Sequence, residues 1–140
     1  MIKRILFHCE DYSSVMLNSG LLILRMALGL IMAFGHGFGK LPVHPNFVGA
    51  VAKMGLPMAE VFAWSAALSE FMGGIFIALG LATRLSSAAL AFTMGMAAFV
   101  FHAPDTFATK EKAIVYFISF VFIFIAGGGK FSIDALITKK

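Results

Sequence analysis

Six side chains carry charge or a titratable ring into surroundings that are otherwise apolar: Arg25, His36, Lys40, Glu70, His102 and Glu111. On a soluble helix a lone Arg or Glu is a solvated group, whereas within a bilayer it is costly, turns toward a neighbouring helix and takes a partner. The chemistry open to this set is proton handling or the holding of a carbonyl oxygen by Arg25, His36, Glu70 and His102, and proton handling or anion binding by His36, Lys40, His102 and Glu111. Arg25 and Glu70 lie deepest in apolar sequence. With the midplane near residue 29 of the first helix and residue 70 of the second, Arg25 falls roughly 6 Å from the level of Glu70. A guanidinium on its flexible stem spans that gap. The expected Arg25–Glu70 pair reads either as a polar centre or as a salt bridge that fixes helix register.

His36, Lys40, His102 and Glu111 fall toward the opposite end of their helices and are expected to gather at one extracytoplasmic mouth. They form a proton-handling or anion-binding set, or else interfacial residues wetted by headgroups. His36 and His102, on facing helices, also have the residue type for axial haem ligation. Both lie near the membrane surface and the chain has only four His, so haem is the less favoured cofactor. No metal site is expected: Cys9 is the single cysteine, which rules out a disulfide or a four-thiolate cage within one chain. The Met residues read as core filling. Gly35, Gly37 and Gly39 sit inside a hydrophobic helix with no strand before them, unlike a nucleotide-binding loop.

The elements that must position these residues are four apolar stretches, about residues 18–39, 58–81, 86–102 and 112–128. Each is within the length needed to cross a hydrocarbon core of about 30 Å once its flanks are counted. None shows the polar stripe of a soluble bundle. The expected fold is therefore all-α, an integral membrane four-helix bundle forming a single domain over residues 1–140. Gly29, Ala33 and Gly37 follow Arg25 at intervals of four, and Ala66, Glu70, Gly74 and Ala78 repeat the spacing in the second helix, which marks faces that pack closely. Ala91, Gly95, Ala98 and His102 do the same in the third. Phe47, Val48, Val51 and Met54 predict a short interfacial helix between Pro45 and Gly55. The brief link at residues 82–85 makes the second and third helices antiparallel neighbours.

Composition agrees: 60% of the 140 residues are hydrophobic and 13% charged, outside the soluble globular range. The net charge of +4 comes from scattered Lys and Arg rather than a basic patch, so nucleic acid is not an expected partner. Lys3, Arg4, Arg84, Lys130, Lys139 and Lys140 against Lys40, Lys53, Lys110 and Lys112 place both termini in the cytoplasm. The apolar piece from Ile5 to Phe7 is too short for a signal peptide, so the first helix is expected to remain as an uncleaved anchor.

The ordered set of Arg25 to Gly29, the run FGHGFGKL from Phe34 to Leu41, Gly55-Leu56-Pro57, Glu70 with Gly73 and Gly74, Gly80 to Arg84, His102, and Gly129 to Asp134 resembles the DoxX family of small bacterial membrane proteins. The similarity runs from Leu22 to Leu136, with Gly-His-Gly around His36 where the family more usually has a Phe-His-Gly-type start. The resemblance implies a four-helix, multi-pass protein of the bacterial inner membrane, tied to membrane redox complexes that include quinone-reducing thiosulfate oxidoreductases. Carried over by position, the family's recurrent polar residues are Arg25, His36, Lys40, Glu70, Arg84, His102, Ser132 and Asp134. Ser132 and Asp134 also read as a local helix cap.

The expectation is a membrane subunit of a quinone-linked redox complex, an oxidoreductase subunit by resemblance, with an apolar slot for an isoprenoid quinone. Glu70, His36 and His102 are the candidate catalytic residues, and Arg25, Lys40 and Glu111 join them as candidate binding residues. The sequence shows no redox centre, so a partner subunit or non-covalent cofactor is implied, with the bilayer and a homo-oligomer as further partners. Two other readings stay open: a small oligomeric carrier or channel for an anion or metabolite, and a structural or assembly subunit.

Overall fold

The computed structural model describes residues 14–138. Lys3, Arg4, residues 5–7, Cys9, Lys139 and Lys140, on which expectations of orientation, anchoring and thiol chemistry rest, lie outside them. The described residues form helices and no strand: α1 (Val15–Lys40), α2 (Pro45–Ala52), α3 (Ala59–Leu79), α4 (Thr83–Phe101), α5 (Phe107–Ala126) and α6 (Ile133–Thr138). α1, α3 and α4 are each long and apolar enough to cross a membrane. α5 has 20 residues and carries Lys110, Glu111 and Lys112 in its first turns. Exposed Ile23, Phe34, Phe92, Ile118 and Ile125 give the outer faces the apolar surface that lipid requires.

Local chemistry sets the helix ends. Ser14 Oγ accepts from Leu17 N to open α1. His44 Nδ1 accepts from Asn46 N at 3.2 Å ahead of Pro45, which opens α2 with a proline where no helical N–H is needed. Gly55 and Gly127, at φ +75° and +74°, turn the chain after α2 and α5 in conformations that favour glycine.

α1 and α3 approach through the two predicted small-residue faces. A Cβ on Gly74 would lie 2.7 Å from Gly29 O and 2.8 Å from Ala33 N, and one on Gly37 would collide with the backbone of Glu70 and Phe71. Only glycine permits this contact. α4 packs between α3 and α5, and Met32, Ile77, Leu90, Ala91, Met94, Phe120 and Ile123 fill the core where the four long helices meet.

The α1–α3 contact also fixes register and corrects the expected Arg25–Glu70 pair. With Gly37 beside Glu70 and Gly29 beside Gly74 and Ala78, Arg25 falls level with the end of α3, about 18 Å along the axis from Glu70. At this lower end, Arg25 Nη1 donates to Ile77 O at 3.1 Å and Nη2 to Phe131 O at 2.6 Å. Asp134, on α6, accepts from Ala82 N at 2.7 Å and Thr83 N at 2.8 Å, capping α4 from 51 and 52 residues away. That cap holds Ala82 at φ +45°, a strained position for a residue with a Cβ. Ser132 Oγ accepts from Ala135 N at 3.1 Å as the N-cap of α6, and Lys130 N donates to Asn18 Oδ1 at 2.8 Å. The lower end is thus a polar clamp that ties the α3–α4 turn and the post-α5 loop to α1.

Three long helices contain a π-helical stretch: Ile31–Gly37 in α1, Ser69–Gly73 in α3 and Ala97–Phe101 in α4. Such turns concentrate at functional sites because they re-aim side chains within an otherwise regular helix.

Candidate functional site

Glu70 sits in the π turn of α3, about 16 Å of helix rise beyond Ala59, and is 1% exposed. A carboxylate held there needs a cation. Lys40, the last residue of α1, supplies it: its Nζ donates to Glu70 Oε1 at 2.5 Å and Oε2 at 2.6 Å. The same ammonium lies 5.0 Å from the centroid of Phe47 on α2. One lysine therefore joins α1, α3 and α2, the last through a cation–π contact.

The pair opens onto a half-open cavity of about 390 Å³ bounded by α2, α3 and α4. Its wall is mainly apolar, with Phe47, Met54, Phe62, Phe92 and Met96 among the contributors, and its polar groups include Lys40, Ser69, Glu70 and His102. α2, predicted as an interfacial helix, covers one side, with its own Val51 buried on the inner face. Ala97 and Phe101 of the α4 π turn line the wall, and His102 follows directly. Its Nδ1 is 2.6 Å from Asp105 Oδ2 at the exposed α4–α5 link, and the ring meets Phe101 edge-on. His102 stands nine residues further toward the upper end than Glu70, counted from the Gly73–Leu90 contact, or about 13 Å. The polar groups thus occupy two levels, a deep pair and a ring at the mouth.

Of the six residues expected at the site, the structure brings Lys40, Glu70 and His102 to one cavity and leaves three outside it. Arg25 belongs to the lower clamp. His36 turns its ring against Tyr116 on α5, edge-on with centroids 5.5 Å apart. His36 and His102 therefore do not face one slot, as an axial haem pair must. Glu111 is exposed on α5 and is not part of the cavity wall, so the expected gathering of His36, Lys40, His102 and Glu111 at one mouth is corrected to Lys40 and His102 alone. The reason is angular: between His36 and Lys40 the chain passes from the π turn (Ile31–Gly37) into a 3-10 turn (Phe38–Lys40), which changes the rotation per residue, so His36 faces α5 while Lys40 reaches α3.

A family model for DoxX matches residues 20–103. The chain belongs to the DoxX family. No curated protein and no solved structure matches it. The DoxX match contains every cavity-lining residue and the three membrane-length helices except for the first turn of α1, while α5 and Asp134 lie beyond it. In this DoxX chain the cavity and its mouth also contain residues that spacing did not single out. Ser69 lies beside Glu70 in the cavity wall, and Asp105 holds His102. A serine next to a membrane carboxylate was the available signal for the first; the second needed the loop geometry.

Proposed function

We propose that this DoxX protein is a four-pass subunit of the bacterial inner membrane, with both termini cytoplasmic, that seats the head of a quinone-type lipid for a redox partner. The cavity carries this reading. Its volume falls within the range of about 300–1,000 Å³ typical of small-molecule sites, and an apolar wall with a few convergent polar groups is the usual lining of such sites. α5 serves as the fourth crossing, since 20 helical residues span about 30 Å and its charged first turns suit the interface.

In this reading Lys40, already fixed by Glu70, directs its remaining N–H toward a carbonyl oxygen of the head. Glu70 holds that ammonium in place within the apolar interior. The Phe and Met side chains exclude water and hold the ring and the start of the tail. His102, oriented by Asp105, exchanges protons with the aqueous side at the mouth. A bound quinone would take up two electrons from the redox partner and two protons to become the quinol, or give both back in the reverse direction. His36 and Arg25 are assigned to packing.

Gentle purification followed by absorbance and mass-spectrometric inspection tests the proposal. A quinone in roughly stoichiometric amount, lost in Glu70→Gln, is expected. Cofactor-free protein that also fails to bind an added short-chain quinone refutes it and moves the weight to a carrier, for which solute flux into proteoliposomes without an electron donor is the decisive assay.

A further inference from the structure

Hydroxyl side chains within these helices generally satisfy themselves by donating back to their own turn. Ser65 Oγ donates to Val61 O at 2.7 Å, Thr93 Oγ1 to Ala89 O at 3.0 Å, Ser119 Oγ to Val115 O at 2.7 Å, and Ser87 Oγ to Arg84 O at 3.0 Å. Ser69 departs from this pattern. Its Oγ is shut off from solvent and has no hydrogen-bond partner, although the residue lines the cavity and directly precedes Glu70. Thr83 Oγ1 shares the condition, but at the lower end and off the cavity wall.

A buried hydroxyl without a partner is destabilising, and native structures rarely retain one without a use for it. The Ser69 Oγ lies toward Gly73, 3.9 Å from where a Cβ on that glycine would stand. Serine has only χ1 to turn, and its staggered wells lie one rotation apart. The neighbouring polar groups limit what it can meet. Glu70 is 1% exposed beneath Lys40, whose ammonium is 31% exposed, so the donor of the pair is the one a ligand meets first, and a ligand seated there is best matched by an acceptor.

We propose that Ser69 is a specificity-determining residue whose hydroxyl turns into the cavity on binding and donates to an oxygen of a carbonyl-bearing lipophile, beside the Lys40–Glu70 pair. This rests on the reading of the cavity as a lipophilic ligand site and adds the feature it selects: an acceptor oxygen at the buried end of the molecule. Gly73 contributes by leaving space beside the serine, and the Ser69–Gly73 π turn sets the angle from which the hydroxyl swings.

The test compares two probes on the full-length protein in lipid nanodiscs: a decyl-substituted 1,4-benzoquinone and a decyl-substituted 1,4-dimethylbenzene, alike in shape but lacking oxygen. The unmutated protein is expected to prefer the quinone. Ser69→Ala should weaken quinone binding by about three- to tenfold, as the loss of one net hydrogen bond implies, with binding of the hydrocarbon unchanged. Ser69→Thr, which keeps the hydroxyl, should retain most of the preference. Thermal stability of Ser69→Ala should be equal or slightly raised, since it removes an unsatisfied buried group. Unchanged quinone affinity in Ser69→Ala, or an equal loss for both probes, overturns the assignment. If the unmutated protein binds neither probe, the ligand reading itself fails, a result distinct from a failure of Ser69 alone.

Discussion

Breaking the Lys40–Glu70 pair from its two sides should give unequal losses of stability. The carboxylate is 1% exposed and the ammonium 31% exposed. Lys40→Met keeps the length of the stem but strands a buried carboxylate, a change that costs about 3–5 kcal/mol in comparable settings. Glu70→Gln strands an ammonium that still reaches water and the Phe47 ring, so screening reduces the loss to about 1–2 kcal/mol. For a chain of this length about 1 kcal/mol corresponds to roughly 3 °C in the unfolding midpoint. Lys40→Met is therefore expected to melt about 10 °C below the unmutated protein and Glu70→Gln only a few degrees below it. The double variant should be more stable than Lys40→Met alone, because it leaves no isolated charge. Circular dichroism of the four proteins in one detergent measures all of this. Equal losses in the single variants, or a double variant as low as their sum, would refute the burial argument.

Gly74→Ala should lower the midpoint by several degrees, because its Cβ would lie 2.7 Å from Gly29 O, whereas Gly20→Ala, with nothing within 4 Å, should gain about 0.5–1 kcal/mol from helix propensity. Matched thermal melts of the two read the difference. Asp134→Ala removes two charged caps from the start of α4 and is expected to cost about 2–3 kcal/mol, measured by denaturant titration. Cysteines introduced at Thr109 and Lys130 in a Cys9→Ser background should react with an impermeant thiol reagent from opposite sides of the membrane. Labelling from one side would remove α5 as a crossing.

The helices were legible because nothing in their sequence competes with the apolar signal: stretches placed at residues 18–39, 58–81 and 86–102 appear as Val15–Lys40, Ala59–Leu79 and Thr83–Phe101. The glycine and alanine spacing of α1 and α3 identified the packed faces for the same reason, since only small residues let two backbones touch. Register was not legible. Sliding α1 past α3 in four-residue steps preserves the small-residue match, and two such steps, about 12 Å, separate the observed register from one that leaves Arg25 within reach of Glu70. The contacts of Gly29 and Gly37 instead gave Glu70 to Lys40. Nor does any residue type announce a π turn, and three of them decide which way His36, Glu70 and the approach to His102 point. The carbonyls that hold Arg25 are equally silent in sequence, because a backbone acceptor carries no residue signature.

The π turns bear on how the chain tolerates changes in length. A π turn holds one more residue than the α turn it replaces, so deleting a single residue within Ser69–Gly73 lets α3 close into regular α-helix with both halves still in phase. The same deletion between Ala59 and Leu68 would rotate that half of the helix by about 100° and carry its cavity-lining residues off the wall. The segment that shapes the site is therefore also the place in α3 where a one-residue gap can be absorbed, and a relative lacking that residue would keep the bundle while losing the present aim of Glu70.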